Sequence, residues 1–211
     1  MIRIVSFDMD GTLVTSRYVE KVWLEGVPAL YAERHKIDLE EARKLVYDEY
    51  MSVGTRDLRW YDLSHWLDRF DLDIPHSDLL NMYRGDVELY PETEEVLALL
   101  AKKFDLVVAS NGATEFVEFE LGSLRHHFRE ILSVTSKFGK VKDFPETFFD
   151  LCRYLGAKPE EVVHIGDHRY FDYEVPKEAG LSALYLDRDR MESGPDVVHD
   201  LREAAERVMG M

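Results

Sequence analysis

Short apolar runs that stop at glycine, serine or aspartate, separated by stretches of helical period, constrain this chain more than any other feature of its sequence. Residues 2–7 (Ile-Arg-Ile-Val-Ser-Phe) are rich in β-branched and aromatic side chains and end at Asp8. Residues 105–109 end at Ser110-Asn111-Gly112, and residues 161–165 end at Gly166-Asp167. Residues 130–134 and 182–186 read as further strands, and 196–198 as a short last one. Helical patterns fill the gaps: one opened by Tyr90-Pro91 and running through Lys103, then 114–121, 145–155, a short one ending near Gly180, and 201–209. Several of the strands are continuously apolar and not alternating, which is the mark of a sheet buried on both faces. Strand–helix alternation of this kind implies a parallel sheet between two layers of helices, with the working site beyond the carboxyl ends of the strands.

One stretch breaks the alternation. Between residues 16 and 86 no strand is evident. Residues 18–26 read as a helix interrupted near Gly26 and Pro28 and resuming toward His35. Asp38-Leu39-Glu40-Glu41 resembles a capping box, followed by apolar residues at helical spacing up to Gly54. Residues 58–70 and 77–83 read as two more helices. The expected organisation is therefore a three-layer α/β/α, Rossmann-like core from residues 1–15 plus 87–211. A helical domain, residues 16–86, is inserted after the first strand. Within it Arg56, Arg59 and His65 lie among aromatics. The pattern fits an amphipathic helix filling its own core, or cations that read a substrate.

Bulk properties narrow the possible partners. A chain of 211 residues with 45% hydrophobic and 32% charged residues is expected to fold as a soluble globular protein. A net charge of −16 argues against nucleic acid and against anionic membranes. It also means that a site for an anion must create its own positive field. The single cysteine, Cys152, excludes an intrachain disulfide, suits a reducing cytoplasmic compartment, and sits where core packing is expected. The longest apolar run, residues 96–101, is far too short to span a bilayer, and Asp8 interrupts the first strand where a signal peptide would stay apolar.

The chemistry-bearing residues collect at the expected strand ends. The first strand delivers Asp8 and Asp10, followed by Gly11 and Thr12. Gly11 allows an immediate turn. Asp8 can then present its carboxylate while Asp10 offers its main-chain carbonyl or swings its side chain back. Crowded carboxylates repel, and a hard cation such as Mg²⁺ relieves them through oxygen ligands. The second strand delivers Ser110 and Asn111, the loop after the third carries Lys137, Lys140 and Lys142, and the fourth delivers Asp167 and then Asp172. Together these are carboxylates for a divalent cation, a hydroxyl and amides for a phosphate, a fixed cation, and a carboxylate nucleophile.

Asp8-Met9-Asp10-Gly11-Thr12, Ser110-Asn111, Lys142 and Gly166-Asp167 with Asp172 resemble, in order, the four motifs of the haloacid dehalogenase-like (HAD) hydrolase superfamily. The helical insertion resembles the C1 cap of its subfamily I. The resemblance implies a Mg²⁺-dependent phosphatase acting on a small phosphorylated metabolite, as a monomer or homodimer. Asp8 would be the nucleophile that forms an aspartyl-phosphate, ionised without help because an ordinary Asp titrates at about 3.9. Asp10 would protonate the leaving group and then activate water. Ser110 and Asn111 with the amides after them would hold phosphoryl oxygens, and Lys142 would offset their charge. Mg²⁺ would be held by the Asp8 carboxylate, the Asp10 carbonyl and Asp167, with Asp172 orienting a ligand water or Lys142. Lys142 is followed by Asp143-Phe144-Pro145 where the family often has Lys-Pro. Pro145 and Phe148 nonetheless fit the family's Pro-x-x-Phe, which selects Lys142 over its two neighbours.

Other chemistries compete. A phosphomutase like β-phosphoglucomutase would use the same intermediate and return the phosphoryl group to a sugar. In a 2-haloacid dehalogenase the position of Asp10 is typically not Asp, because halide needs no proton donor. A receiver-type signalling module would share the acceptor Asp, the acidic ligands and the Lys. It has no use for the helical insertion or for a proton donor beside its phospho-aspartate. An inactive relative that binds proteins through its cap would not need an intact acidic set.

Overall fold

The computed structural model describes all 211 residues. In chain order, β1 (Ile4–Phe7) is followed by α1 (Arg17–Lys21), α2 (Val27–His35), α3 (Leu39–Val53), α4 (Leu63–Arg69) and α5 (His76–Met82). Then come α6 (Thr93–Leu100), β2 (Asp105–Ser110), α7 (Thr114–Leu121), β3 (Glu130–Ser133), α8 (Val134–Phe138) and α9 (Pro145–Leu155). The remainder is β4 (Val162–Gly166), α10 (Val175–Glu178), β5 (Ser182–Leu186), β6 (Val197–Val198) and α11 (Leu201–Met209). The chain divides into two compact units, Met1–Thr15 with Leu89–Met211, and Ser16–Glu88.

The first unit is built on one six-stranded sheet in the order β3-β2-β1-β4-β5-β6, parallel throughout. Its strands are apolar at nearly every position because each face meets its own core. Val5, Phe7, Leu106, Val108, Val163 and Ile165 pack with α6, α7 and α11 on one side. Ile4, Val107, Ala109 and Val162 pack with α9 and α10 on the other, where Phe148, Leu151, Cys152 and Leu155 form the helix face expected from their spacing. Emptying such a position, as in Leu151→Ala, costs about 2–5 kcal/mol. After β1 the chain builds outward through β2 and β3, then crosses back to lay β4 on the opposite side of β1. The order reverses between β1 and β4, and open parallel sheets bind ligands at that switch point. It lies where Asp8 and Asp167 emerge.

Core boundaries shift by one to three residues from the sequence reading, α6 ending at Leu100 and not at Lys103, and β3 shows why. The third strand ends at Ser133, one residue earlier than expected, and Val134 begins the short helix α8. The Ser133 hydroxyl accepts a hydrogen bond from the Ser136 amide at 3.1 Å, so a capping residue turns the strand directly into a helix.

The second unit is entirely helical. The expected interruption at Gly26 and Pro28 does not occur: a π-helical turn, Val22–Gly26, joins α1 to α2 without a break. Pro28 follows directly on that turn, at the second residue of α2. Gly26 has helical angles and is required for closeness, since a Cβ there would lie 2.8 Å from the Tyr83 ring. The Asp38 carboxylate caps α3 by accepting from the Glu40 amide, in place of a reciprocal box. The aromatics fill the unit's own core: Trp66 lies 4.7 Å from Tyr50 and 5.5 Å from Phe70, ring centre to ring centre. No helix of the chain is long and apolar enough to cross a membrane.

Candidate active site

The buried Lys142 ammonium is the hub of the strand-end cluster. It donates to Asp8 Oδ1 at 2.7 Å, Asp172 Oδ1 at 2.6 Å and the Ala109 carbonyl at 2.9 Å, which uses all three of its protons. Its backbone amide donates to Asn111 Oδ1 at 2.9 Å, and the Thr135 hydroxyl donates to the Asn111 carbonyl, also at 2.9 Å. Asn111 thus ties the lysine segment to the end of β2. The other two lysines lie elsewhere. Lys137 stands over the Tyr154 ring at 4.6 Å, and Lys140 pairs with Asp150 at 2.5 Å.

Asp8, Asp167 and Asp172 each offer a carboxylate oxygen within 4.8 Å of the others. Two glycines make that crowding possible. A Cβ on Gly11, whose φ is +74°, would collide with the Asp167 carboxylate, and one on Gly166 would collide with that of Asp172. The Thr12 hydroxyl donates to Asp167 Oδ1 at 3.0 Å. Beyond Asp167 a π-helical turn, Arg169–Glu174, carries Asp172 back under the cluster. The bulky pair before Asp172 holds this turn, with Phe171 stacked on His168 and the Tyr170 hydroxyl donating to the Asp143 carbonyl.

Asp172 is fully buried and saturated. Its Oδ1 accepts from Lys142 and from His164 Nε2 at 3.1 Å, and its Oδ2 accepts from the His168 amide at 2.9 Å. That arrangement suits orienting Lys142 better than direct ligation. Ser110 is buried at the end of β2, where its hydroxyl accepts from the Gly112 amide at 3.0 Å.

The electrostatics show a site short of positive charge. Burial raises the Asp8 carboxyl, as does the charge of Asp172, and Lys142 opposes both. Removal from water thus gives Asp8 a higher affinity for a proton than an ordinary aspartate, and Lys142 works to keep it ionised. Asp167 is pushed up to about 7 by burial and then by Asp8 and Asp172. Burial would raise Asp172 too, but the charge of Lys142 and the hydrogen bond from His164 hold it well below the usual carboxylate range. Burial likewise works against the charge on Lys142, yet the two aspartates outweigh it and hold the lysine above its ordinary value. Three carboxylates against one lysine, all with hard oxygen donors, fit a divalent cation such as Mg²⁺.

Four residues around the site were not anticipated. His164 lies on β4 beside Ser6 in register, and its Nδ1 is 2.9 Å from the Ser6 hydroxyl, so a buried polar pair supports Asp172 from behind. A histidine inside an otherwise apolar strand was the available signal, because a buried polar group needs a partner. Arg188, just past β5, donates to the Gly11 carbonyl at 3.0 Å and the Thr12 carbonyl at 2.6 Å, pairs with Glu92 at 2.9 Å, and covers the Tyr90 ring. It braces the turn that carries Asp8 and Asp10. Glu120 on α7 is buried with no hydrogen-bond partner on either oxygen. Burial and the charge of Asp10 push it up to about 10.

Among the helical-unit candidates, Arg59 donates to both carboxylate oxygens of Asp57, at 3.0 and 2.7 Å, which lowers Asp57 to about 2. His65 lies edge-on to Trp66, 4.9 Å between ring centres. Arg56 stands in the turn before this segment.

The sheet order and the acidic set at its switch point define a class of Rossmann-like α/β hydrolases with a paired-aspartate motif after the first strand. The chain belongs to the haloacid dehalogenase-like hydrolase family, whose family model matches residues 2–180. It is 27% identical to a glyceraldehyde 3-phosphate phosphatase of Methanocaldococcus jannaschii, over 100% of this chain and 99% of that one. It is 32% identical to a phosphoserine phosphatase of Thermus thermophilus over 54% of this chain and 47% of that one. Its fold matches the crystal structure of a HAD phosphatase from Thermococcus onnurineus with a TM-score of 0.84. That match is 24% identical and covers 99% of this chain and 98% of the other. A 2-haloacid dehalogenase from Pseudomonas syringae matches with a TM-score of 0.70 at 22% identity, over 100% and 99% of the two chains.

Proposed function

We propose that this hydrolase is a Mg²⁺-dependent phosphatase that releases phosphate from a small phosphorylated metabolite through an aspartyl-phosphate on Asp8. The observation that carries this reading is the convergence of Asp8 and Asp167, from two strand ends, and Lys142, from the loop between α8 and α9, on one small volume. The names of the relatives support the substrate class, since they act on glyceraldehyde 3-phosphate and phosphoserine.

The chemistry follows from the residues. An Asp8 oxygen attacks phosphorus, the ester P–O bond breaks, and Asp10 gives its proton to the departing alkoxide. Asp10 then takes a proton from water as that water attacks the phosphorus, and the Asp8–phosphorus bond breaks. Lys142 holds Asp8 in place and offsets charge on the phosphoryl oxygens, with Asp172 and His164 fixing the lysine. Ser110 and the amides of its turn receive the remaining phosphoryl oxygens. The Asp8 carboxylate, the Asp10 carbonyl and Asp167 would hold Mg²⁺, which would supply positive charge against the substrate dianion. Substrate selection falls to the helical unit, with Arg56, Arg59 and His65 the residues to test.

The test is phosphate release from p-nitrophenyl phosphate and a panel of three- to six-carbon phosphate esters, with and without Mg²⁺. Wild type should require the cation. Asp8→Asn should lose activity by about 10⁴-fold or more, and Asp10→Asn by about 10²–10⁴-fold while still binding Mg²⁺. Turnover confined to a sugar monophosphate that needs a bisphosphate primer would favour the mutase. A phosphoenzyme stable for hours would overturn the hydrolytic reading.

A further inference from the structure

Away from the strand ends, the core unit holds a second group of metal-ligating side chains. Glu94 lies in the first turn of α6. His126 and His127 end the 3-10 turn, Gly122–His127, that continues α7 toward β3. A Glu94 carboxylate oxygen and one ring nitrogen from each histidine all lie within 4.8 Å of one another. The two imidazoles are 4.0 Å apart, centre to centre.

Two details leave each histidine with a ring nitrogen open to a ligand. His126 Nδ1 is 3.1 Å from the Ser123 carbonyl, which can only accept, so Nδ1 carries the proton and Nε2 keeps its lone pair. Metal-bound histidines are usually oriented in this way, by donating the other ring N–H to a carbonyl or carboxylate. His127 Nε2 is sealed from water and has no hydrogen-bond partner in the protein. A buried polar atom left unsatisfied is uncommon and calls for a partner.

We propose that Glu94, His126 and His127 form a binding site for a borderline divalent cation of the Zn²⁺ class, which fastens the Gly122–His127 turn to α6. Two imidazoles and one carboxylate suit Zn²⁺, Ni²⁺ or Co²⁺ and not Mg²⁺, which prefers oxygen. Three protein ligands leave a fourth position for water. Donors bound to one tetrahedral ion lie roughly 3.3–3.6 Å apart, so the group must close by up to about 1.5 Å. Glu94 and His126 are exposed side chains, and the Glu94 carboxylate is the one that moves to close the gap. A net charge of −16 favours accumulation of cations at the surface.

Zn²⁺ titrated into the full chain by calorimetry, with Mg²⁺ in excess, tests the site separately from the catalytic cluster. Wild type and Asp8→Asn should both bind one Zn²⁺ that Mg²⁺ does not displace. Glu94→Gln or His126→Gln should weaken it by about 10–100-fold, and the double variant His126→Gln, His127→Gln should abolish it. Zn²⁺ should raise the melting temperature of wild type and not of the double variant. The single substitutions are on the surface and should leave Mg²⁺-dependent turnover unchanged. No saturable Zn²⁺ site, binding undiminished in Glu94→Gln and the double variant, or loss of the only site in Asp8→Asn would each overturn the proposal.

Discussion

Asp167 shows how single residues at this site are tuned by what surrounds them. Its folded value, about 7, lies above the 3.8 of a free aspartate because burial comes first and two neighbouring carboxylates follow. A group raised in this way is protonated below about pH 7, and a proton there competes with a cation. Mg²⁺ affinity should therefore climb by up to about tenfold per pH unit toward pH 7 and flatten above it. Calorimetric titration of wild type with Mg²⁺ across about pH 5.5–8.5 measures this; an affinity that stays flat over that range excludes the burial effect. That Asp8, Lys142 and Asp167 come together was legible in the sequence because each stands where an apolar run stops, or at a fixed spacing from Pro145. His164 and Ser6 were not, since their pairing depends on which residue of β4 lies beside which residue of β1. Nor was Arg188, which reads as one of several loop charges until the fold brings it to Gly11.

At the scale of elements, α7 carries a conflict that its sequence does not reveal. Phe116, Val117 and Leu121 bury the face expected of an amphipathic helix, but Glu120 goes in with them. Its folded value of about 10 lies above the 4.5 of a free glutamate. The sign follows from linkage: its contribution to stability is whole below about pH 4.5 and is lost progressively as pH rises toward about 10. By pH 7 the loss is on the order of 3 kcal/mol. Glu120→Gln removes the titration, so its stability relative to wild type should improve by about 1.4 kcal/mol per pH unit between about pH 6 and 9. Denaturant unfolding of both proteins at several pH values gives that slope; a pH-independent difference would sink the account. Other elements show why boundaries were harder to read than existence. α8 is too short to leave a periodic signal, and the π-helical turn before α2 absorbs a Gly-x-Pro sequence that reads as a break.

For the whole molecule, the dominant property is its charge. A chain with a net charge of −16 must attract a phosphate dianion through a local field alone. Added salt screens the long-range repulsion more than it weakens the short contacts around buried Lys142. At fixed free Mg²⁺, kcat/KM for a small phosphate ester should rise about two- to fivefold between low and physiological ionic strength, through KM and not kcat. A fall with salt would point to a positively charged entrance that the composition hides. The division into a sheet unit and a helical unit was readable because strand signals vanish between residues 16 and 86, and the contact boundary falls at Ser16–Glu88.

The grip of Arg188 on the turn after β1 also bears on how the enzyme comes into being. The two partners are 177 residues apart in the chain. A nascent polypeptide still short of residue 188 therefore carries Asp8 and Asp10 on a turn without that brace.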